Sequence, residues 1–377
     1  MEIGIDSRAA VWYRGTGMGT YSYQLMENLY RIDQKNTYRF FLPEGVWTKA
    51  DPAMEGIFHS GGQSVSDFWE RAYGRPVPAK EGMSLLHNPH NGFGLPKDGR
   101  VPIVITIHDL IPYVLPQMCG KPYRDIFCRE MPRFLERAAH IIAVSHHTKG
   151  DLQKILSVPE EKITVIHEAP EKLYQPMKKD EVRRYLCEKY GIEKEYILYV
   201  GGYNGRKNLP LLVNAFARVK KEEGLPHALL MLGRENKEYR KIAALVEAKN
   251  LKEDVIFGGF SPLEDLPVFY NGATLFVFPS LYEGFGLPPL EAAACGVATL
   301  STPVSALAEV MGDGAAYFSP EDEIGLAQLI HFFLENEEER AALGEKGRLR
   351  SQTFSWQRGA RETLSVYEKI MTESSRE

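Results

Sequence analysis

The sequence predicts an α/β protein containing two doubly wound, largely parallel sheets. Three observations lead there. Short β-branched and aromatic runs alternate with longer amphipathic ones along the chain, several of the short runs are apolar at consecutive positions, and the alternation halts once near the middle before restarting. Continuous apolar runs such as Ile103-Val104-Ile105 are how strands buried on both faces read. At 377 residues the chain also exceeds what one ordinary core holds, so more than one domain is expected.

Taken in order, strands are expected at 3–5, 38–42, 84–86, 103–107, 141–144 and 162–166 in the first half. In the second half they are expected at 196–200, 228–232, 255–257, 275–278, 298–301 and 316–318. Helical spacing joins Tyr123, Phe127, Met131, Phe134 and Ala138, and again Leu209, Leu212, Val213, Phe216 and Val219. The charged stretch 171–194 contains no sheet strand and reads as the connection. The expected organisation is therefore a Rossmann-like domain over 1–170, a second over 171–355, and a final helical segment, 356–377, packing back towards the first domain.

Composition narrows the function. Hydrophobic residues make up 44% and charged residues 25%, an ordinary soluble balance, and the net charge is −5. A mildly acidic chain does not present the clustered Lys and Arg that nucleic acid requires, so no nucleic-acid partner is expected. The four cysteines (Cys119, Cys128, Cys187 and Cys295) form no paired or zinc-ligand spacing, as in a reducing cytoplasm. Neither a signal peptide nor a membrane-spanning run of roughly 18–20 apolar residues is visible. A cytoplasmic protein is expected, with peripheral membrane contact left open by Arg124, Arg129, Arg133 and Arg137 on one amphipathic segment. A solvated helix face is the alternative.

Doubly wound sheets bind ligands at the carboxyl ends of their strands, so residues just after strands carry the functional reading. After the strand at 275–278 comes LYEGFGLPPLEAAACG, with Gly284 and Gly286 for a tight loop and Glu291 opening a helical run. A helix start there offers free N–H groups to an anion such as a diphosphate. Glu283 and Glu291 stand eight positions apart, one in the loop and one on the helix, and reach different parts of an elongated ligand. Carboxylates suit sugar or ribose hydroxyls. A capped helix with solvated carboxylates is the alternative.

Arg206 and Lys207 lie in GGYNGRKN, between the strand at 196–200 and the next helix, where cations can neutralise a departing diphosphate. In the first half, the segment Arg14-Gly15-Thr16-Gly17-Met18-Gly19 precedes a helical run containing Leu25 and Leu29, and Gly-rich loops of this kind let backbone N–H groups approach phosphate. A dinucleotide fingerprint is the rival, with Glu44 where a ribose-binding acid would lie. The G-x-G-x-x-T pattern lacks the third small residue, and the loop from Asp6 is too long for that motif. His108-Asp109 follows a buried strand, with Asp109 expected to orient the imidazole or shape the loop. His87-Asn88-Pro89-His90-Asn91 follows another. His87 and His90, three positions apart, could suggest a metal, but no carboxylate or third histidine stands nearby in sequence, and the chain contains no Asp-x-Asp, so no metal and no cofactor are expected.

The segment EGFGLPPLEAAACGVATLSTPVSALAEVMGDGAAYFSP resembles the donor-site signature of glycosyltransferase family 4, the retaining GT-B glycosyltransferases also described as glycosyl transferases group 1. The resemblance covers nearly the whole chain and is densest from 196 to 320. It implies a GT-B fold of two Rossmann-like domains facing each other across a cleft, the first on the acceptor side and the second binding a nucleotide sugar. Glu283 is then expected at the donor sugar hydroxyls and Glu291 at the ribose. The backbone of Phe285, Gly286 and Leu287 would contact sugar and phosphate, with Gly17, Met18 and Gly19 at the diphosphate and acceptor side and His108 facing the donor sugar. Lys207 matches the family's lysine. The family arginine five positions earlier is Gly202 here, while Arg206 belongs to an RKN segment that many members carry. The base is expected near Gly233 and residues 257–261.

The implied activity is retaining transfer of a hexosyl group, mannosyl or glucosyl, from a GDP- or UDP-sugar to a glycan or lipid-linked acceptor in polysaccharide biosynthesis. A sugar-nucleotide epimerase and a non-catalytic nucleotide-sugar-binding protein share the layout and remain as alternatives.

Overall fold

The computed structural model describes residues 1–43, 45–48, 68–78, 82–97 and 101–374. Glu44 lies outside the described residues. The chain divides into two compact units, Met1–Glu168 with Ser355–Glu377, and Ala169–Phe354.

The first unit holds strands β1 (Glu2–Asp6), β2 (Thr37–Leu42), β3 (Gly45–Thr48), β4 (Leu85–Asn88), β5 (Ile103–Ile107), β6 (His140–Ala143) and β7 (Ile163–Val165). They form one sheet in the order β3-β2-β1-β4-β5-β6-β7, parallel except for β3. All five residues of β5 are buried, as its apolar run requires. β3 is absent from the sequence expectation. It is four residues long, pairs antiparallel with β2 at the sheet edge, and exposes Gly45 and Val46, so it carries neither a buried run nor a long alternation.

The second unit holds β8 (Tyr196–Val200), β9 (Ala228–Leu232), β10 (Val255–Gly259), β11 (Leu275–Phe278), β12 (Thr299–Ser301) and β13 (Ala316–Tyr317). Their order is β10-β9-β8-β11-β12-β13, all parallel. This is the Rossmann order, in which the chain reverses its direction of travel between the first and fourth strands. The reversal falls between β8 and β11, and in the first unit between β1 and β4.

Local chemistry sets the helices that matter for the site. Thr16 caps the helix Gly17–Ile32, its side chain accepting from the Gly19 amide at 3.3 Å. Helix Lys121–Arg137 continues through Pro132. Proline has no N–H for the carbonyl four residues back, and the Tyr113 hydroxyl donates to that Cys128 carbonyl instead, at 2.9 Å. Helix Trp356–Ser374 lays Ala360, Thr363, Val366, Tyr367 and Ile370 inward at helical spacing, within the first unit.

A buried polar chain pins this last helix to the sheet. The Tyr367 hydroxyl meets His87 Nδ1 at 2.6 Å, His87 Nε2 meets Thr106 Oγ1 at 2.8 Å, and Tyr21 meets the same Thr106 oxygen at 3.0 Å. Burial, reinforced by His90 and His108 nearby, pushes the His87 imidazole down to about 3, so it stays neutral and structural.

Candidate functional site

In the second unit the carboxyl ends of β8 and β11 bring three donors, two of them charged, to one atom. Arg206 Nη1 and Lys207 Nζ each donate to Glu283 Oε1 at 2.5 Å, and Ser280 Oγ donates to the same oxygen at 2.6 Å. Arg206 also donates to the Tyr282 carbonyl at 3.0 Å, and Lys207 Nζ lies 4.4 Å from the centre of the Phe278 ring. Burial by itself would raise the Glu283 carboxyl, but the Arg206 and Lys207 charges and the two side-chain hydrogen bonds overcome it and hold it down at about 2. Two cations against one carboxylate leave this cluster with a net positive charge. That surplus, at the topological reversal of a Rossmann sheet, suits an anionic ligand.

The loop between Glu283 and the helix Leu287–Ala294 is shaped by sterics. Gly286 has φ +106°, and a Cβ there would stand 2.6 Å from Leu307 Cδ2, so only glycine fits. The Glu283 amide donates to Ser305 Oγ at 2.8 Å, and Thr302 Oγ1 donates to the Ser280 carbonyl at 2.5 Å. Phe285 is buried edge-on against Phe354, and Leu287 is buried at the first helical position. Glu291 sits on that helix with its Oε2 accepting from the buried Tyr270 hydroxyl at 2.9 Å. Gly233, after β9, stands so near the loop after β8 that a Cβ would meet the Gly201 carbonyl oxygen at 2.1 Å.

In the first unit the expected residues also lie at carboxyl ends. Gly19 is forced by packing, since a Cβ would fall 1.8 Å from the Tyr13 carbonyl oxygen, whereas Gly17 faces open space. Met18 Sδ lies 3.9 Å from Asn91 Nδ2. His108 is engaged through both ring nitrogens, Nδ1 with Glu168 Oε1 at 3.0 Å and Nε2 with the Pro89 carbonyl at 2.9 Å. Asp109 shapes the loop, accepting from the Ile111 amide at 3.1 Å, while Glu168 is the carboxylate at the imidazole. His87 and His90 do not face one ligand, because successive β4 residues point to opposite sheet faces and the chain turns after Asn88.

Asp6, Arg8 and Glu168 of the first unit escaped the sequence reading. Asp6, at the end of β1, accepts from Arg8 Nε at 2.8 Å and Nη2 at 2.6 Å, and lies 3.2 Å from His90 Nε2. Arg8 Nη1 donates to the Arg75 carbonyl, and Asn88 Nδ2 donates to the Phe93 carbonyl at 2.8 Å. Burial would raise Asp6, but His90 and Arg8 hold it at about 2. An Asp-x-Arg directly after a buried strand was the available signal. Ser305 had none, because its contact with the Glu283 amide is set by tertiary structure, whereas Ser280 stands only three residues from Glu283.

Both units thus have Rossmann topology with charged residues gathered at the carboxyl ends, the arrangement of the GT-B class of glycosyltransferases. A profile of "Glycosyl transferases group 1" matches residues 186–350, and one of "Glycosyltransferase Family 4" matches residues 17–169. The chain belongs to this group 1 family of GT-B glycosyltransferases. It is 29% identical over 268 residues to O-antigen chain mannosyltransferase B of Escherichia coli, covering 71% of this chain and 70% of that one. It is 30% identical over 276 residues to the serotype-specific mannosyltransferase WbdA of Escherichia coli, covering 72% of this chain but only 34% of that longer one. Among solved structures, sucrose-phosphate synthase from Thermosynechococcus elongatus superposes with a TM-score of 0.77 at 23% identity, covering 99% and 100% of the two chains. HepE of Anabaena, solved with UDP and glucose, superposes at 0.71 and 14% identity, covering 97% and 99%. These likenesses establish the fold. No helix among the described residues is long and apolar enough to cross a membrane.

Proposed function

We propose that this glycosyltransferase moves a hexosyl group, mannosyl in the first instance, from a GDP- or UDP-sugar to a glycan or lipid-linked acceptor, with retention at the anomeric carbon. The supporting observation is the convergence of Arg206, Lys207 and Ser280 on Glu283 at the reversal between β8 and β11. The mannosyl preference rests on the activities named for the bacterial relatives.

In this reading the bond from the anomeric carbon to the diphosphate breaks and one from the acceptor oxygen forms. The acceptor's proton leaves with a diphosphate oxygen. Lys207 and Arg206 stabilise the negative charge that develops on the leaving group, together with the backbone N–H groups at Gly286 and Leu287. Glu283 holds sugar hydroxyls and Glu291 the ribose, while Gly17, Met18 and Gly19 serve the diphosphate and acceptor side. No metal is required, because the two cations do the work that Mg²⁺ does elsewhere. The test is nucleoside diphosphate release from a panel of GDP- and UDP-hexoses, with and without a mannose-terminated glycan and with EDTA throughout. Acceptor-dependent release, with an α-linked product from an α-linked donor, is expected. Conversion of the donor without acceptor would show an epimerase instead, and binding without turnover would show a non-catalytic protein.

A further inference from the structure

His108 has a feature that its place after β5 does not require. Its imidazole lies between two oxygen atoms: Glu168 Oε1, 3.0 Å from Nδ1, and the Pro89 carbonyl, 2.9 Å from Nε2. A carbonyl only accepts, and so does a carboxylate. A neutral imidazole has one N–H and one lone pair, so one nitrogen would turn its lone pair towards an oxygen. Protonation of the ring satisfies both contacts. The proton belongs on the ring, since an ordinary imidazole holds its proton about two pH units higher than an ordinary carboxyl.

The ring has no easy escape. His108 is 7% exposed and Glu168 3%, so water does not substitute for either partner. The His108 amide donates to Asn91 Oδ1 at 2.8 Å, its carbonyl accepts from Thr148 Oγ1 at 3.2 Å, and the Tyr21 ring stands perpendicular at 4.9 Å. The Pro89 carbonyl is itself fixed, because Asn88 Oδ1 accepts from the amides of His90 and Gly92 at 3.2 and 2.9 Å.

We infer that His108 is held as an imidazolium between Glu168 and the Pro89 carbonyl, and that Glu168 is the positioning residue that keeps it in that form. The electrostatic surroundings agree. Burial opposes the charge, but the Glu168 carboxylate, the Pro89 carbonyl and Asp109 outweigh it and raise the His108 value. The other titratable groups facing this region are Tyr21 on the helix Gly17–Ile32, His87 at the end of β4 and His90 in the following loop. His87 is neutral and adds no repulsion. His108 is then not a proton acceptor in the transfer reaction. It is a fixed positive charge, neutralised by Glu168, that anchors the loop carrying Pro89 and Asn91. The protonation state stands independently of the proposed function, and only its catalytic consequence rests on that reading.

The decisive measurement is a histidine ring ¹⁵N correlation spectrum of the wild-type protein without substrate, with His108 assigned by its loss in His108→Asn. At about pH 7 both ring nitrogens of His108 are expected at imidazolium shifts. A bare Nδ1 or Nε2 at that pH overturns the inference, whatever the enzyme's activity. Glu168→Gln keeps the shape but offers an amide N–H to a bare Nδ1, so its His108 midpoint is expected to fall by about one pH unit or more. In that variant kcat for glycosyl transfer should decline with pH along the lowered midpoint, while the donor KM stays near wild type. An unshifted midpoint, or a uniform loss of kcat at every pH, also overturns it. If no donor is turned over at all, the proposed function fails while the spectrum still decides the protonation state.

Discussion

The two units share a strand order and gather charge at the same end of the sheet, yet they balance it differently. In the first unit Asp6 faces one permanent cation, Arg8, with His90 Nε2 beside it, and Glu168 faces His108. In the second, one carboxylate, Glu283, faces both Arg206 and Lys207. One-to-one pairing turns buried charge into scaffold, because each ion is neutralised where it stands. Two-to-one pairing leaves a positive surplus for an anion to neutralise. Fold alone does not separate a scaffold from a binding site; the stoichiometry of the pairing does.

Substitutions in the two units should therefore fail in different ways. The largest effect on folding is expected from Arg8→Met, which leaves Asp6 buried without its main partner and should cost about 3–5 kcal/mol in urea denaturation. Donor affinity should be nearly unchanged; a large rise in the donor Kd would break the contrast. In the second unit, Lys207→Ala and Glu283→Ala should each lower kcat by roughly a hundredfold to a thousandfold, with circular dichroism like the wild type. Wild-type-like turnover in both would remove the donor-site assignment.

Acid sharpens the same comparison. Glu283 has its carboxyl lowered from 4.5 to about 2, so its ion pairs stabilise the fold fully above the unfolded value and lose that contribution as pH falls through the folded one. The stability difference between wild type and Glu283→Gln should shrink by about 3 kcal/mol across that window. A difference constant with pH would mean that the carboxylate is not charged in the folded protein. The smallest effect is expected from Tyr367→Phe, which removes the hydroxyl at His87 Nδ1 and should cost about 1–2 kcal/mol. Hydrogen exchange should show the loss concentrated in helix Trp356–Ser374, and an even loss over both units would contradict the pinning role.

Much of the fold was legible because parallel strands advertise themselves. β5, β8, β9 and β11 are apolar runs with no residue exposed. β3 was not legible, because an exposed edge strand of four residues satisfies neither periodicity. In the site, Glu283, Lys207 and Gly286 could be named from a loop motif. The convergence of Arg206 and Lys207 on Glu283 Oε1 could not, because residues 206–207 and 283 are brought together only by the pairing of β8 with β11. The sequence left two roles open for Asp109, orienting His108 or shaping the loop; it shapes the loop, and the carboxylate at the imidazole is Glu168, sixty residues away.

The sequence by itself determined the α/β class, the positions of the buried strands and the loop chemistry after β8 and β11. Local patterns of burial and backbone conformation are enough for these. Tertiary structure alone decided which charges pair and in what ratio. A side chain's partner depends on strand order and on which side of a loop it faces, and neither is written in nearby residues. The Glu283 cluster with its surplus charge and the His108–Glu168 pair without one are both products of that later level.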